Sequence, residues 1–154
     1  MTFREATSAA LLGTLTAALA LQVVLAKRTN PPVRAALVSP PEVDAILRRA
    51  CYDCHSNETR WPWYSHVAPF SWLIAADVAR ARREVNFSEW GSYYPATRRR
   101  KLQWIARSLR EEKMPPWSYR LMHPGVRLNA ADRAALERWI ASQLSGRPIR
   151  LPDK

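Results

Sequence analysis

The run Cys51-Tyr52-Asp53-Cys54-His55 constrains this chain more than any other stretch. Residues three and four apart on a helix share a face, so Cys51, Cys54 and His55 turn toward one flat ligand. Two thiols at that spacing, with an imidazole directly after the second, form the attachment signature of c-type haem. Cys51 and Cys54 are then the thioether sites, and His55 reaches the iron from one side. The chain has only these two cysteines. A redox disulfide is one alternative, but such pairs usually sit at the strand-to-helix junction of a βαβ pattern, which the sequence lacks. A zinc site is another. It needs two further ligands, and the other histidines, His66 and His123, lack the paired spacing of zinc motifs. The expectation is one haem c per chain.

At 154 residues the chain has room for one domain plus attachments. Seven tryptophans supply core material beside the haem itself. The formal charge of +11 suits an acidic partner protein or anionic headgroups, or is simply solvated. No nucleic-acid recognition motif accompanies it, so nucleic acid is not expected. Only four glycines occur, with no phosphate-binding loop and no nucleophile–base constellation.

Ser8 to Ala26 is an uncharged, mostly apolar run, long enough to span a bilayer as a helix. An uncleaved signal-anchor is expected over 1–26. The alternative is a secretory signal cleaved after Ala18-Leu19-Ala20 or Val24-Leu25-Ala26. Lys27, Arg28 and Arg34 outnumber Arg4, which weakly favours a cytoplasmic domain. Haem attachment favours the periplasmic face, and the haem motif outweighs so small a charge bias.

Pro31-Pro32 and Pro40 make residues 27–40 an extended linker. Ser39-Pro40-Pro41-Glu42 reads as a helix start with Ser39 as the capping hydroxyl. Val43, Ile46, Leu47 and Ala50 then recur at helical spacing into Cys51. Residues 56–69 form a loop along one haem edge. A second helix is expected over 70–86, with Phe70, Leu73, Ile74, Val78 and Ala79 as an apolar stripe broken by Asp77. Residues 87–95 read as a loop. A third helix spans 96–113 and buries Leu102, Ile105, Ala106 and Leu109. Arg98-Arg99-Arg100-Lys101 opposes the dipole at its start and, with Arg80, Arg82 and Arg83, is a candidate docking patch. Asn129 caps the last helix, which Gly146 and Pro148 end. The tail from 146 to 154 reads as loose.

Met114, followed by Pro115-Pro116, is the candidate distal iron ligand, because the prolines hold its loop in few conformations. Met122, His123 and His66 compete for that position. A methionine packed in the core is the commoner fate of the residue.

The order of helix, C-x-x-C-H, loops and helices, Met-Pro and final helix resembles class I cytochrome c. More closely, Cys51 to Tyr64, with Ser71-Trp72-Leu73, Asn86-Phe87-Ser88-Glu89-Trp90 and Met114-Pro115, resembles the bacterial haem-binding domain family. The resemblance implies an all-α, cytochrome c-like haem domain over 41–145, facing the periplasm. It implies Cys51 and Cys54 as thioether sites, His55 as proximal ligand and Met114 as distal ligand. The function expected is one-electron transfer with an acidic redox partner at the inner membrane, rather than enzymatic turnover. The alternatives are a haem sensor or small haem enzyme with a displaceable sixth ligand, and a structural subunit that merely carries haem. For the protein's location the alternative is release into the periplasm after signal cleavage.

Overall fold

The computed structural model describes residues 3–24 and 26–146, and within these every regular element is helical. The expected loose tail lies outside the described residues from 147 onward. The helices are α1 (Phe3–Val23), α2 (Pro41–Ala50), α3 (Tyr52–His55), α4 (Phe70–Glu84), α5 (Pro95–Arg110), α6 (Trp117–Met122) and α7 (Ala130–Ser145). Short 3₁₀ turns at Trp63–His66, Phe87–Ser92 and Pro124–Val126 connect them.

Local chemistry sets the helix ends. Pro41 occupies the first turn of α2, Glu42 and Asp44 face the positive end of its dipole, and Arg48 and Arg49 face the negative end. The cap itself differs from the sequence expectation. Pro40 takes that position in an extended conformation, and the Ser39 hydroxyl is buried without a hydrogen bond among the described residues. α7 carries a full capping box: Asp132 N donates to Asn129 Oδ1 at 2.8 Å, and Asn129 N donates to Asp132 Oδ2 at 3.0 Å. It ends at Gly146, whose φ of 68° is open to glycine and strained for other residues. Asn129→Ala should cost about 1 kcal/mol, read as a lower denaturant midpoint with an unchanged slope.

The core lies where α7 packs on both α2 and α5. Val43, Ile46 and Leu47 of α2, Leu102 and Leu109 of α5, and Leu136, Trp139 and Ile140 of α7 share one buried cluster. Trp139 is only 1% exposed, so Trp139→Ala should cost about 3–5 kcal/mol of unfolding free energy. The segment expected as a plain loop over 87–95 supplies much of this core. Phe87 and Trp90 are buried, and Phe87 stacks on Tyr52 with ring centroids 5.3 Å apart. Residues 26–40 contain no helix and run along this segment. Ala35 N donates to Ser88 O and Leu37 N to Phe87 O, which seats Leu37 in the core.

α1 corrects the expectation of a membrane-spanning segment. Among the described residues no helix is long and apolar enough to cross a membrane. The 21-residue α1 opens with Arg4 and Glu5, and Thr7, Thr14, Thr16 and Gln22 dilute its apolar character. The hydroxyls of Thr14 and Thr16 return to the carbonyls of Ala10 and Leu12. Gln22 pairs with the Ala68 backbone, accepting from its N–H at 3.0 Å, and Trp72 Nε1 donates to Val24 O at 2.9 Å. The end of α1 is thus fastened to the start of α4.

Candidate functional site

Cys51 ends α2 and caps α3, so the attachment run sits at a corner between two helices. Its backbone N–H completes α2 through Leu47 O, and its carbonyl accepts from His55 N at 2.9 Å. That single turn presents Cys54 and His55 beside α4. α4 stops at Glu84; Ala81 O accepts from Val85 N at 2.9 Å and keeps a second lone pair to offer. His55 Nδ1 lies 3.1 Å from both Ala81 O and Val85 O. Carbonyls only accept, so Nδ1 carries the proton and Nε2 keeps its lone pair. Burial lowers the basicity of His55 and holds it neutral, although the two carbonyls work the other way. Phe87 and Trp104 meet the ring edge-on and fix its plane.

Cys51 and Cys54 are both free and half-buried. Burial pushes Cys51 up to about 12, with the Cys54 charge adding to it. Burial pushes Cys54 up to about 11, with Asp53 and Asp77 adding to it. Both therefore stand as neutral thiols at physiological pH. Among the described residues no three His, Cys, Asp or Glu side chains are placed to hold a metal ion together. Cys51, Cys54 and His55 thus do not converge on one point, as a zinc site requires. A haem makes no such demand, because only the imidazole meets the metal while the thiols meet the macrocycle rim.

The surroundings are apolar and uncovered. α4 packs against α3, and Ala81, four residues after Asp77, meets His55 through its carbonyl. Phe70, Leu73 and Ile74 precede Asp77 by seven, four and three residues and share its face. The expected stripe on α4 therefore exists, but it does not enter the core. Phe70 is 55% and Leu73 60% exposed, and only Val78 of the stripe is fully buried. Apolar surface left open beside a neutral imidazole and two neutral thiols fits a haem, and these residues would hold it.

A polar frame fixes the loop after the motif. Arg82 donates to Ser56 O at 2.7 Å, Thr29 O at 2.8 Å and Thr59 Oγ1 at 2.8 Å. Ser88 Oγ accepts from Asn57 N, and Asn86 Nδ2 donates to Asn57 Oδ1. Asp53, inside the motif, accepts from Arg60 and from Tyr119 Oη at 2.7 Å on α6. Burial opposes ionisation of Asp53, but Arg60 and Tyr119 outweigh it and hold the carboxyl below the usual carboxylate range. Its stabilisation is complete above that range and lost as pH falls through the depressed value. Tyr119→Phe should move acid unfolding to higher pH and cost about 1–3 kcal/mol at neutral pH. Comparing the acid transition of the two proteins by circular dichroism checks it.

No local pattern signals the roles of Arg82, Tyr119 and the Ala81 and Val85 carbonyls. Their partners lie far along the chain, although Asp53 between the cysteines marked a position next to the site. The expected basic patch is largely committed. Arg98 donates to Tyr93 O, Arg99 to Leu144 O and Lys101 to Glu84 O. With Arg82 also turned inward, these cations hold backbone carbonyls of their own chain.

Met114 is half-buried in the turn after α5, between Glu112 at φ 52° and the buried Pro115. Met122 is 54% exposed, and His66 is exposed. His123 Nε2 lies 2.6 Å from Tyr64 Oη, and its ring stacks on Tyr119 at 4.3 Å.

An all-helical domain that offers a neutral imidazole, two thiols and open apolar surface fits the class of haem-holding proteins. The family model described as "Haem-binding domain" matches residues 16–142, and the chain belongs to that family. The match takes in the last part of α1, from residue 16, as well as most of the helical domain. No curated protein and no solved structure matches the chain.

Proposed function

We propose that this haem-binding protein holds one haem covalently and serves as a one-electron carrier on the periplasmic side of the inner membrane. Cys51 and Cys54 form the thioethers, His55 Nε2 is the proximal ligand, and Met114 is the distal ligand. The observation that carries the haem assignment is the His55 imidazole. Two carbonyls hold its Nδ1 proton, and its Nε2 has no hydrogen-bond partner among the described residues. Bound there, haem supplies a one-electron Fe(III)/Fe(II) couple, and His/Met ligation sets it at a raised potential. The chain's own part is to fix the imidazole tautomer and plane, and to cover the macrocycle with Phe70 and Leu73.

A second reading, a sensor or small haem enzyme, draws on Tyr64 and His123. Tyr64 Oη lies 2.6 Å from His123 Nε2, and Tyr119 Oη donates to Asp53 inside the motif, so polar groups border the site. The visible spectrum of the matured protein, taken with and without carbon monoxide, separates the two. A six-coordinate spectrum unchanged by carbon monoxide supports the carrier, whereas ready binding gives the sensor or enzyme precedence.

A further inference from the structure

α6 has two faces. Tyr119 and His123, four residues apart, turn toward the attachment run, where they meet Asp53 and Tyr64. Trp117, Arg120 and Leu121, at spacings of three and four, share another face. With Pro115, Arg127 and Arg133 they line a groove of about 490 Å³. The groove thus lies across the helix from the candidate haem site.

We propose that this groove binds an acidic segment of a partner protein. Arg120 and Arg127 make no ion pair among the described residues. Arg133 donates to Leu109 O and pairs with Glu112 at 3.5 Å, so Arg120 and Arg127 are the unpaired cations of the groove. Trp117 is 73% and Leu121 68% exposed, so apolar surface lies open between the cations. Guanidinium forks pair with carboxylates in two-point geometry, and Trp and Arg are the residue types that dominate binding at interfaces. The chain's charge of +11 favours an acidic partner throughout. A concave groove with apolar side chains set between cations matches a peptide carrying carboxylates on either side of an apolar residue. A flat lipid surface would leave its floor unfilled. Under the carrier reading the partner is the redox protein. Groove binding is measured without electron transfer, so the two proposals fail separately.

The test uses the haem-loaded full chain and a fluorescent dodecapeptide in which Asp and Glu alternate with Leu and Phe. Anisotropy should report binding that weakens as salt rises. The double variant Arg120→Glu/Arg127→Glu should weaken it by about tenfold or more. Arg83→Glu/Arg107→Glu, with the same net charge on exposed positions of α4 and α5, should change it by less than about twofold. Trp117→Ser should weaken the mixed peptide while sparing an Asp/Gly peptide of equal charge. Unchanged helicity and visible spectra establish that the variants are folded. Equal weakening by both double variants would reduce the effect to net charge and overturn the proposal. So would no weakening by either. Groove-dependent binding of phosphatidylglycerol vesicles without peptide binding would assign the groove to lipid instead.

Discussion

Changing both Cys51 and Cys54 to serine should turn a colour that survives acid–acetone extraction into one that leaves with the solvent. Intact mass should fall by one haem. Each single variant should keep its haem through the remaining thioether. The expectation rests on the state of the two thiols. Burial drives them up to about 12 and about 11, so both are neutral and sheltered in the folded chain. A thioether is neutral as well, so attachment leaves no buried charge behind. In the haem-free chain these raised values also give stability a pH slope. Their contribution is full below the ordinary thiol value of 9.0 and is lost as pH rises through the folded values. The thiol part of that alkaline loss should vanish on attachment, because thioethers do not ionise. The serine pair still offers His55 and the apolar face of α4, so weak haem binding should persist without the covalent link. Colour retained by the double variant through acid–acetone would show that the cysteines do not attach the group. His55→Ala separates the roles: it should keep the colour fixed to the chain while changing the ligand-field bands.

Much of the helical layout was legible because it depends on neighbours in sequence. Asn129 announced the start of α7, and Gly146 announced its end. Val43, Ile46, Leu47 and Ala50 named the buried face of α2. Periodicity states which side chains share a face, but not what covers that face. Phe70 and Leu73 therefore had the right spacing on α4 yet lie open instead of entering the core. The same limit applies to Phe87 and Trp90. Gly91 and Pro95 marked the segment as a loop, yet Phe87 is buried and stacks on Tyr52. Charge runs are equally silent about their partners. Arg98, Arg99 and Lys101 form one basic stretch in sequence, but each reaches a different carbonyl. At the site, Cys51, Cys54 and His55 declared themselves as a motif. The frame that orients them joins His55 to Ala81 and Val85, and Asp53 to Tyr119, across dozens of positions. No local pattern encodes such pairings.

Met114→Ala should abolish the weak near-infrared charge-transfer band of thioether-ligated ferric haem, lower the potential and open the iron to carbon monoxide. Met122→Ala should leave all three unchanged. The geometry weighs on this choice by what it leaves available. Met114 sits half-buried where α5 has just ended, with Lys113 N bonded to Ser108 O at 3.0 Å and two prolines following. A thioether on so restrained a backbone loses little conformational entropy when it meets the metal. Met122 is more than half exposed at the end of a short helix, and His66 is exposed as well. His123 must give up a 2.6 Å hydrogen bond to Tyr64 and its stacking on Tyr119 before its Nε2 could reach iron. That exchange costs more than swinging a methionine. His/Met pairing also holds the potential high, which is what a carrier needs. Loss of the distal ligand in His123→Ala, with Met114→Ala silent, would instead place the imidazole on the iron. The Tyr64–His123 pair would then be a gate that must break before ligation, and the carrier would yield to a protein whose sixth position opens and closes.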